Sequence, residues 1–524
     1  MIVMSKTAAT LLLSLAGSAS MLRVHGFVVK EPPMPFKWPI VGTLPDFFAR
    51  GGVGRLRQIY EEMYSEFGNV YGMSPMGKDQ LIVCDPYVFD TVLRKEGKYP
   101  IGGSEEATTF ADYYKETNNT MGIKSISRGP EWKEWRKALE PDMYVAWASY
   151  LPMIADTASK ISKVAGYEVT ERKNVAFIDF ISRSAFDMFT AVMYGESPQT
   201  TDSRVADPTD IEFVQASQTA FDLTGELIAN PLAKVFGTDT YQSFKVNMDK
   251  VFNLGWEVAE EYVAQVQQKP KVKVKEEDAG KCPVTAVKNK MPFVERLLNR
   301  GEMSTNDIKS ISGPMQMAGV DTTTYVMSWL YLNLASNPDV QTKLAEELKA
   351  VLNGVDVTSL VQMNSLPYLK ACIRESHRLT PTAPVLAKRL EENIEVVVDD
   401  IVYKAQAGQR IMLNLRAFPI DPIFVDKPTI YKPERFLKDA VEARKGTPSE
   451  IIDHPSFADP FGRGKRRCLG SNIAMAEMIV LAARMIQDWE ITLVDPSDAN
   501  KWKPKQKLML KADPYPAMKL VPRG

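Results

Sequence analysis

Phe461-Gly-Arg-Gly-Lys-Arg-Arg-Cys-Leu-Gly470 is the stretch whose reading decides the fold. It sets one cysteine, Cys468, on a glycine-rich turn behind a run of basic residues. The apolar run at residues 473–483 follows at once and reads as a buried helix. A thiol just ahead of a helix N-terminus and beside arginines is expected to have a depressed pKa, because the helix dipole and the guanidinium charges both favour the anion. A thiolate on a protected loop is a metal ligand. A lone cysteine near a helix is more often a small buried hydrophobe, so the rest of the chain has to decide between the two.

The ten residues satisfy F-x-x-G-x-R-x-C-x-G at every fixed position: Phe461, Gly464, Arg466, Cys468 and Gly470. The stretch resembles the haem-ligand loop of the cytochrome P-450 family. The resemblance implies that Cys468 is the axial ligand of haem iron, a thiolate that favours O–O cleavage. It also implies a mainly α fold with small β-sheets. The haem would lie between a long oxygen-binding helix and the helix after the Cys loop.

Working upstream, Ser304-Thr-Asn-Asp307 carries capping signals for a helix running to about Ser336, before Pro338. Its middle reads Ala318-Gly-Val-Asp-Thr-Thr323. Gly319 and the threonines at 322–324 are poor helix formers, and Pro314 removes a backbone bond. Such local opposition inside a good helix marks either a kinked core helix or a functional site. With the Cys loop, the segment resembles the oxygen-binding helix of the same family. Ala318 and Gly319 then leave room over the haem, while Asp321 and Thr322 match the acid and alcohol that relay protons toward dioxygen. Proton delivery of this kind needs a hydroxyl within hydrogen-bond reach, replenished by a carboxylate.

Arg374-Glu-Ser-His-Arg378 places Glu375 and Arg378 one helical turn apart. Alone this reads as a surface ion pair. Pro433-Glu-Arg-Phe436 follows, and Glu375, Arg378 and Arg435 together match the family's buried Glu-Arg-Arg cluster, a structural lock. Trp132 and Arg136 in Trp132-Lys-Glu-Trp-Arg136, and Arg466 in the loop, match family contacts to the haem propionates. Arg389 is a further candidate, with Lys388 competing for the role. Segments 94–100 and 128–132 resemble the mitochondrial, ferredoxin-reduced branch, in which basic residues matching Lys370 and Arg374 dock the ferredoxin.

Composition bounds the alternatives. The 524 residues are 45% hydrophobic with a formal net charge of −1, an ordinary globular balance without the basic excess of a nucleic-acid binder. The three histidines, His25, His377 and His454, are far apart, and the four cysteines are too few for a disulfide scaffold in a chain this long. An uncharged run of 16 residues, Thr7 to Leu22, is short for a bilayer span and fits a targeting core; a short retained anchor is the other reading. Five prolines within residues 31–45 make a stiff hinge. Residues 1–30 therefore read as a targeting or anchor segment and 31–524 as the haem-thiolate domain. Residues 269–281 are charged and aperiodic, an exposed connector.

The resulting expectation is a membrane-associated haem b monooxygenase that inserts one oxygen atom into an apolar lipid, sterol, terpenoid or carotenoid-like substrate. Its electrons come from NADPH through a ferredoxin-type or diflavin reductase. Its pocket is lined by Ala318 and parts of residues 100–125 and 210–235. The expected address is an organelle, mitochondrion or plastid, ahead of the endoplasmic reticulum. The alternatives are a haem-thiolate isomerase or dehydratase acting on a hydroperoxide without a reductase, and a non-enzymatic haem sensor or electron carrier.

Overall fold

The computed structural model describes residues 22–24, 27–100, 108–126, 129–172, 176–230, 232–268, 291–500, 502–506 and 509–524. The targeting segment as far as Met21, the 269–281 connector and Cys282 lie outside them. The helices that position the site are α1 (Pro130–Glu140), α2 (Phe177–Tyr194), α3 (Pro208–Ala229), α4 (Asp239–Gln268), α5 (Thr305–Ser336), α6 (Pro367–Leu379) and α7 (Ser471–Asp488).

Helix α5 is the spine. Ser304 caps it, its hydroxyl accepting from the Asp307 amide at 3.1 Å and donating to the Asp307 carboxylate at 2.7 Å. The helix runs unbroken through the segment that opposes helix formation. The Thr322, Thr324 and Ser328 hydroxyls each donate 2.7 Å bonds to the carbonyl four residues back, so these side chains are satisfied within the helix itself.

Its glycines serve close packing. A Cβ on Gly313 would stand 2.3 Å from the Val251 carbonyl oxygen of α4, so the two long helices meet backbone to backbone. A Cβ on Gly319 would lie 3.1 Å from the Phe189 ring of α2. The helix propensity lost at these glycines is thus offset by intimate contact with the neighbouring helices.

The strands of the two four-stranded sheets are β1 (Leu22–Val24), β2 (Phe27–Val29), β3 (Val70–Met73), β4 (Gln80–Val83), β5 (Val385–Arg389), β6 (Ile394–Val398), β7 (Ile401–Ala405) and β8 (Arg410–Asn414). One of these sheets has the order β1-β2-β7-β6 and the other β3-β4-β8-β5; the remaining strands among the described residues form two two-stranded sheets. The tight β6–β7 turn puts Asp399 and Asp400 at φ +49° and +62°, the conformation that a two-residue hairpin requires and that aspartate tolerates. Strand β2 pairs parallel with β7, with Val28 donating to Asp400 and Lys30 to Val402 at 3.2 and 3.1 Å. Hydrogen bonding to the body therefore begins ahead of residue 31.

Apolar burial gathers around α5 and α7, around the two sheets, and where Phe110 and Tyr113 meet Phe213 of α3, Phe244 of α4 and Met317 of α5. The last grouping brings both stretches expected to line the pocket against the middle of α5. Among the described residues, no helix is long and apolar enough to cross a membrane.

Candidate active site

The Cys loop is a turn held by its own backbone and by distant segments. The Cys468 amide donates to Phe461 O at 3.0 Å and the Arg467 amide to Gly464 O at 3.1 Å. Gly464 has φ +78°, a conformation open to glycine at little cost. Phe461 is half-buried against the helical core. Gly470 is the N-cap residue of α7, and a Cβ there would come no nearer than 3.7 Å to Met143. From α1, Arg136 donates to Arg467 O at 2.9 Å, and the Arg466 guanidinium stacks 3.8 Å over the Trp132 ring. Trp132, Arg136 and Arg466 therefore converge on the loop although more than 300 residues of chain separate α1 from it.

The thiol departs from its expected state. The Gly470 amide, Arg467 and Arg136 all pull the Cys468 pKa down, but burial outweighs them and the net shift is upward. An anion enclosed by protein costs more than one amide and nearby guanidinium groups recover. A thiolate here needs a cation sharing its charge, which is what a metal ligand has. The Cys468 side chain nonetheless keeps an accessible face.

Helix α5, which packs against α7, presents a matching opening. Ala318 is exposed and Gly319 and Thr322 are partly open, whereas Met317, Val320 and Asp321 beside them are buried. Thr322 lies on this open stripe, its hydroxyl held by Ala318 O at 2.7 Å. Asp321 does not share the stripe. It is 1% exposed, and its Oδ2 accepts a 2.6 Å bond from the Ser217 hydroxyl of α3. Burial pushes its pKa up to about 7, opposed by the Ser217 bond and reinforced by Asp222. The expected acid and alcohol are thus adjacent in sequence but face different neighbours, as successive residues of a helix must.

Behind Asp321 lies a polar seam that the sequence reading missed. Tyr325, one turn on, donates to Asp222 at 3.1 Å, and Lys511 pairs with the same carboxylate. Nothing local marks Ser217 or Asp222 as partners of a residue about 100 positions away.

Strand parity decides between the two cations of β5. Lys388 pairs with Glu96 at 2.8 Å, and Leu386 on the same face comes within 3.7 Å of where a Gly462 Cβ would sit, so this face looks toward the Cys loop. Arg389 pairs in register with Arg410 on the opposite face. The structure therefore brings Lys388, and not Arg389, to the loop.

On α6, Glu375 is fully buried and takes a forked pair of bonds from Arg378 at 2.7 and 2.8 Å, with Arg435 at 3.3 Å. Its Oε1 also accepts from the Lys432 amide at 2.9 Å, while Arg378 reaches Pro419 O and Pro428 O at 2.6 and 2.8 Å. This network knits α6 to the segments at 419–435. Arg374, expected at a docking surface, is drawn inward: it bonds Asp453 at 2.7 Å and stacks 4.2 Å over Phe436. Lys370 is held by Asn364 at 2.8 Å.

These features fit a haem. The thiol is accessible on its loop, α5 carries an accessible stripe of small residues, and Trp132, Arg136 and Arg466 cluster at the Cys loop, the aromatic surface and cations that a porphyrin with two carboxylates uses. When bound, haem supplies the redox centre at which dioxygen is activated. The chain offers an accessible thiol at Cys468, accessible Ala318 and Thr322, and a buried acid at Asp321 with a pKa of about 7. That combination, on a mainly helical fold, is the set of groups a haem-thiolate protein offers.

The chain belongs to the cytochrome P450 family: the family model Cytochrome P450 matches residues 32–517. It is similar to the mitochondrial 1,25-dihydroxyvitamin D(3) 24-hydroxylase of Mus musculus, 22% identical over 89% of this chain and 85% of that protein. It is also similar to Cytochrome P450 10 of Lymnaea stagnalis, 24% identical over 88% of this chain and 80% of that one, and to ferruginol synthase of Salvia fruticosa, 24% identical over 90% of each. The protein is a cytochrome P450 monooxygenase, which sets aside the isomerase and the non-enzymatic readings.

Proposed function

We propose that this monooxygenase oxygenates a lipid-like apolar substrate, with Cys468 as the iron ligand and electrons drawn from NADPH through a ferredoxin-type partner. The observation that carries the reading is the pairing of Cys468 with the open Ala318–Thr322 stripe on α5, with Asp321 buried behind it. Phe110, Phe213 and Met317 support an apolar substrate, since they gather where the expected pocket stretches meet α5. The relatives named as a vitamin D hydroxylase and a sterol 26-hydroxylase support the same class.

In this reading Ala318 leaves space for substrate, Thr322 holds a proton-passing hydroxyl at the open face, and Asp321 recharges it after rotating from Ser217. Trp132, Arg136 and Arg466 hold the cofactor's edge, while the Lys388 ammonium is engaged by Glu96. Lys370 remains a candidate for partner docking; Arg374, committed to Asp453, acts from behind it. The relatives printed as mitochondrial support an organelle address. Exposed Leu232, Val235 and Phe236 on the turn between α3 and α4, with exposed Phe36 and Ile40 near the proline-rich hinge, support contact with a membrane surface.

Reconstitution tests the proposal. With NADPH, a ferredoxin and its reductase should support oxidation of sterol- or terpenoid-like compounds, and the rate should fall as salt rises. Turnover with a diflavin reductase alone, or oxidation restricted to polar substrates, would count against it.

A further inference from the structure

The segment Arg94-Lys-Glu-Gly-Lys-Tyr-Pro100 has no task in the oxygenase chemistry, yet it is laced to the Cys loop. The Glu96 Oε1 accepts the Lys465 amide at 2.6 Å. Its other oxygen accepts the Lys388 ammonium at 2.8 Å. The Lys465 ammonium bonds Gly97 O, and the Arg466 Nε donates to Pro100 O at 2.7 Å. Two successive residues of the loop, just ahead of Cys468, are therefore tied to one seven-residue strap.

Glu96 is the centre of the strap. It is 3% exposed, and Lys388 is 8% exposed. A carboxylate this deep is costly unless its charge is met, and Lys388 meets it from β5. The carboxylate lies close against the turn: a Cβ on Gly464 would stand 2.6 Å from Glu96 Oε2, so a side chain there would push Glu96 out of its place. One oxygen of Glu96 thus answers a charge while the other holds loop backbone three residues before the thiol.

We propose that Glu96 is a positioning residue: it fixes the Cys468 turn through the Lys465 amide, with Lys388 as its charge partner, and so sets how firmly the thiolate is presented to iron. The inference rests on the haem-thiolate reading for its consequence, though not for the tie itself. It gives Lys388 a defined place in the site and gives the 94–100 segment a mechanical role.

The test compares two double variants of the full-length haem protein, E96Q/K388M and E96A/K388M. Both remove both charges, and only the first keeps a carbonyl oxygen to accept from Lys465. Hydrogen exchange of the peptide spanning residues 461–470 reads the tie, and the spectrum of the reduced, carbon-monoxide-bound protein reads thiolate ligation. The expected result is near-native exchange and spectrum for E96Q/K388M. For E96A/K388M, loop exchange should rise on the order of tenfold, and part of the red-shifted band should be lost. Failure of E96A/K388M alone to retain haem supports the proposal equally. Indistinguishable behaviour of the two variants, whether both native-like or both unable to retain haem, overturns it. A wild-type protein without the red-shifted band would refute the haem-thiolate reading, while the exchange comparison would still decide whether the tie exists.

Discussion

The two walls of the site are built in opposite ways. The Cys loop owes its shape to remote segments: α1 through Arg136 and Trp132, the 94–100 strap through Glu96, and β5 through Lys388. Helix α5 supplies most of its own order, with Ser304 capping its start and hydroxyl groups returning bonds to its own carbonyls. Its long-range polar ties near the stripe are side-chain bonds to α2 and α3: Gln316 to Thr190, Asp321 to Ser217 and Tyr325 to Asp222. The ligand wall is therefore sensitive to changes far away in sequence, whereas the oxygen-side wall should tolerate local changes in stability and show them in proton handling.

Changes that separate these behaviours can break the comparison. The largest effect is expected for Glu375→Ala, which leaves Arg378 and Arg435 facing a buried vacancy beneath the ligand wall. Denaturant unfolding should show a loss of about 3–5 kcal/mol, with haem released earlier in the transition than in wild type. A loss under about 1 kcal/mol would mean the cluster does not support this wall.

Next is Asp321→Asn. It should lower turnover about 100-fold while leaving substrate-induced spectral shifts in place, the mark of a proton-delivery defect. The same variant carries a pH signature. The Asp321 pKa is raised to about 7 in the folded protein, so the folded state binds this proton more tightly than the unfolded chain does. Its contribution to stability is full below the ordinary aspartate range and is lost as pH rises through about 7. Wild type should therefore lose stability relative to Asp321→Asn between about pH 4 and pH 7. Parallel stability curves would remove Asp321 as a near-neutral acid.

Gly313→Ala sharpens the view of α5 as a packed spine. Forcing a methyl group against the Val251 carbonyl should cost about 1–3 kcal/mol, measured by thermal or urea unfolding. The smallest stability effect belongs to Thr322→Ala, under about 1 kcal/mol, since only a bond to the helix's own carbonyl is lost. Its chemical effect should instead be seen as more NADPH consumed per product and more peroxide released. Unchanged coupling would show that Thr322 is not the proton-passing group.

What the sequence made legible follows the same division. The bounds of α5 and the helix after Cys468 rest on local signals: Ser304 and Asp307 at one end, and an apolar run. Those signals act over a few residues, and the structure agrees with them. The Glu375–Arg378 pair was readable because the two residues lie one turn apart. Choosing Lys388 over Arg389 needed strand parity relative to the Cys loop, which depends on which way β5 faces. The inward turn of Arg374 needed Asp453 and Phe436, and the partner of Asp321 needed α3 packed on α5. The thiol's upward shift needed the depth of its burial, which neither the helix N-terminus nor the arginines disclose.

The central claim is that Cys468 ligates haem iron as a thiolate. Its most direct test is the absorption spectrum of the reduced, carbon-monoxide-bound protein, taken for wild type and Cys468→Ala side by side. A strongly red-shifted Soret band in wild type that vanishes in the variant is the predicted result. Absence of that band from wild type, or its survival in Cys468→Ala, would contradict the account.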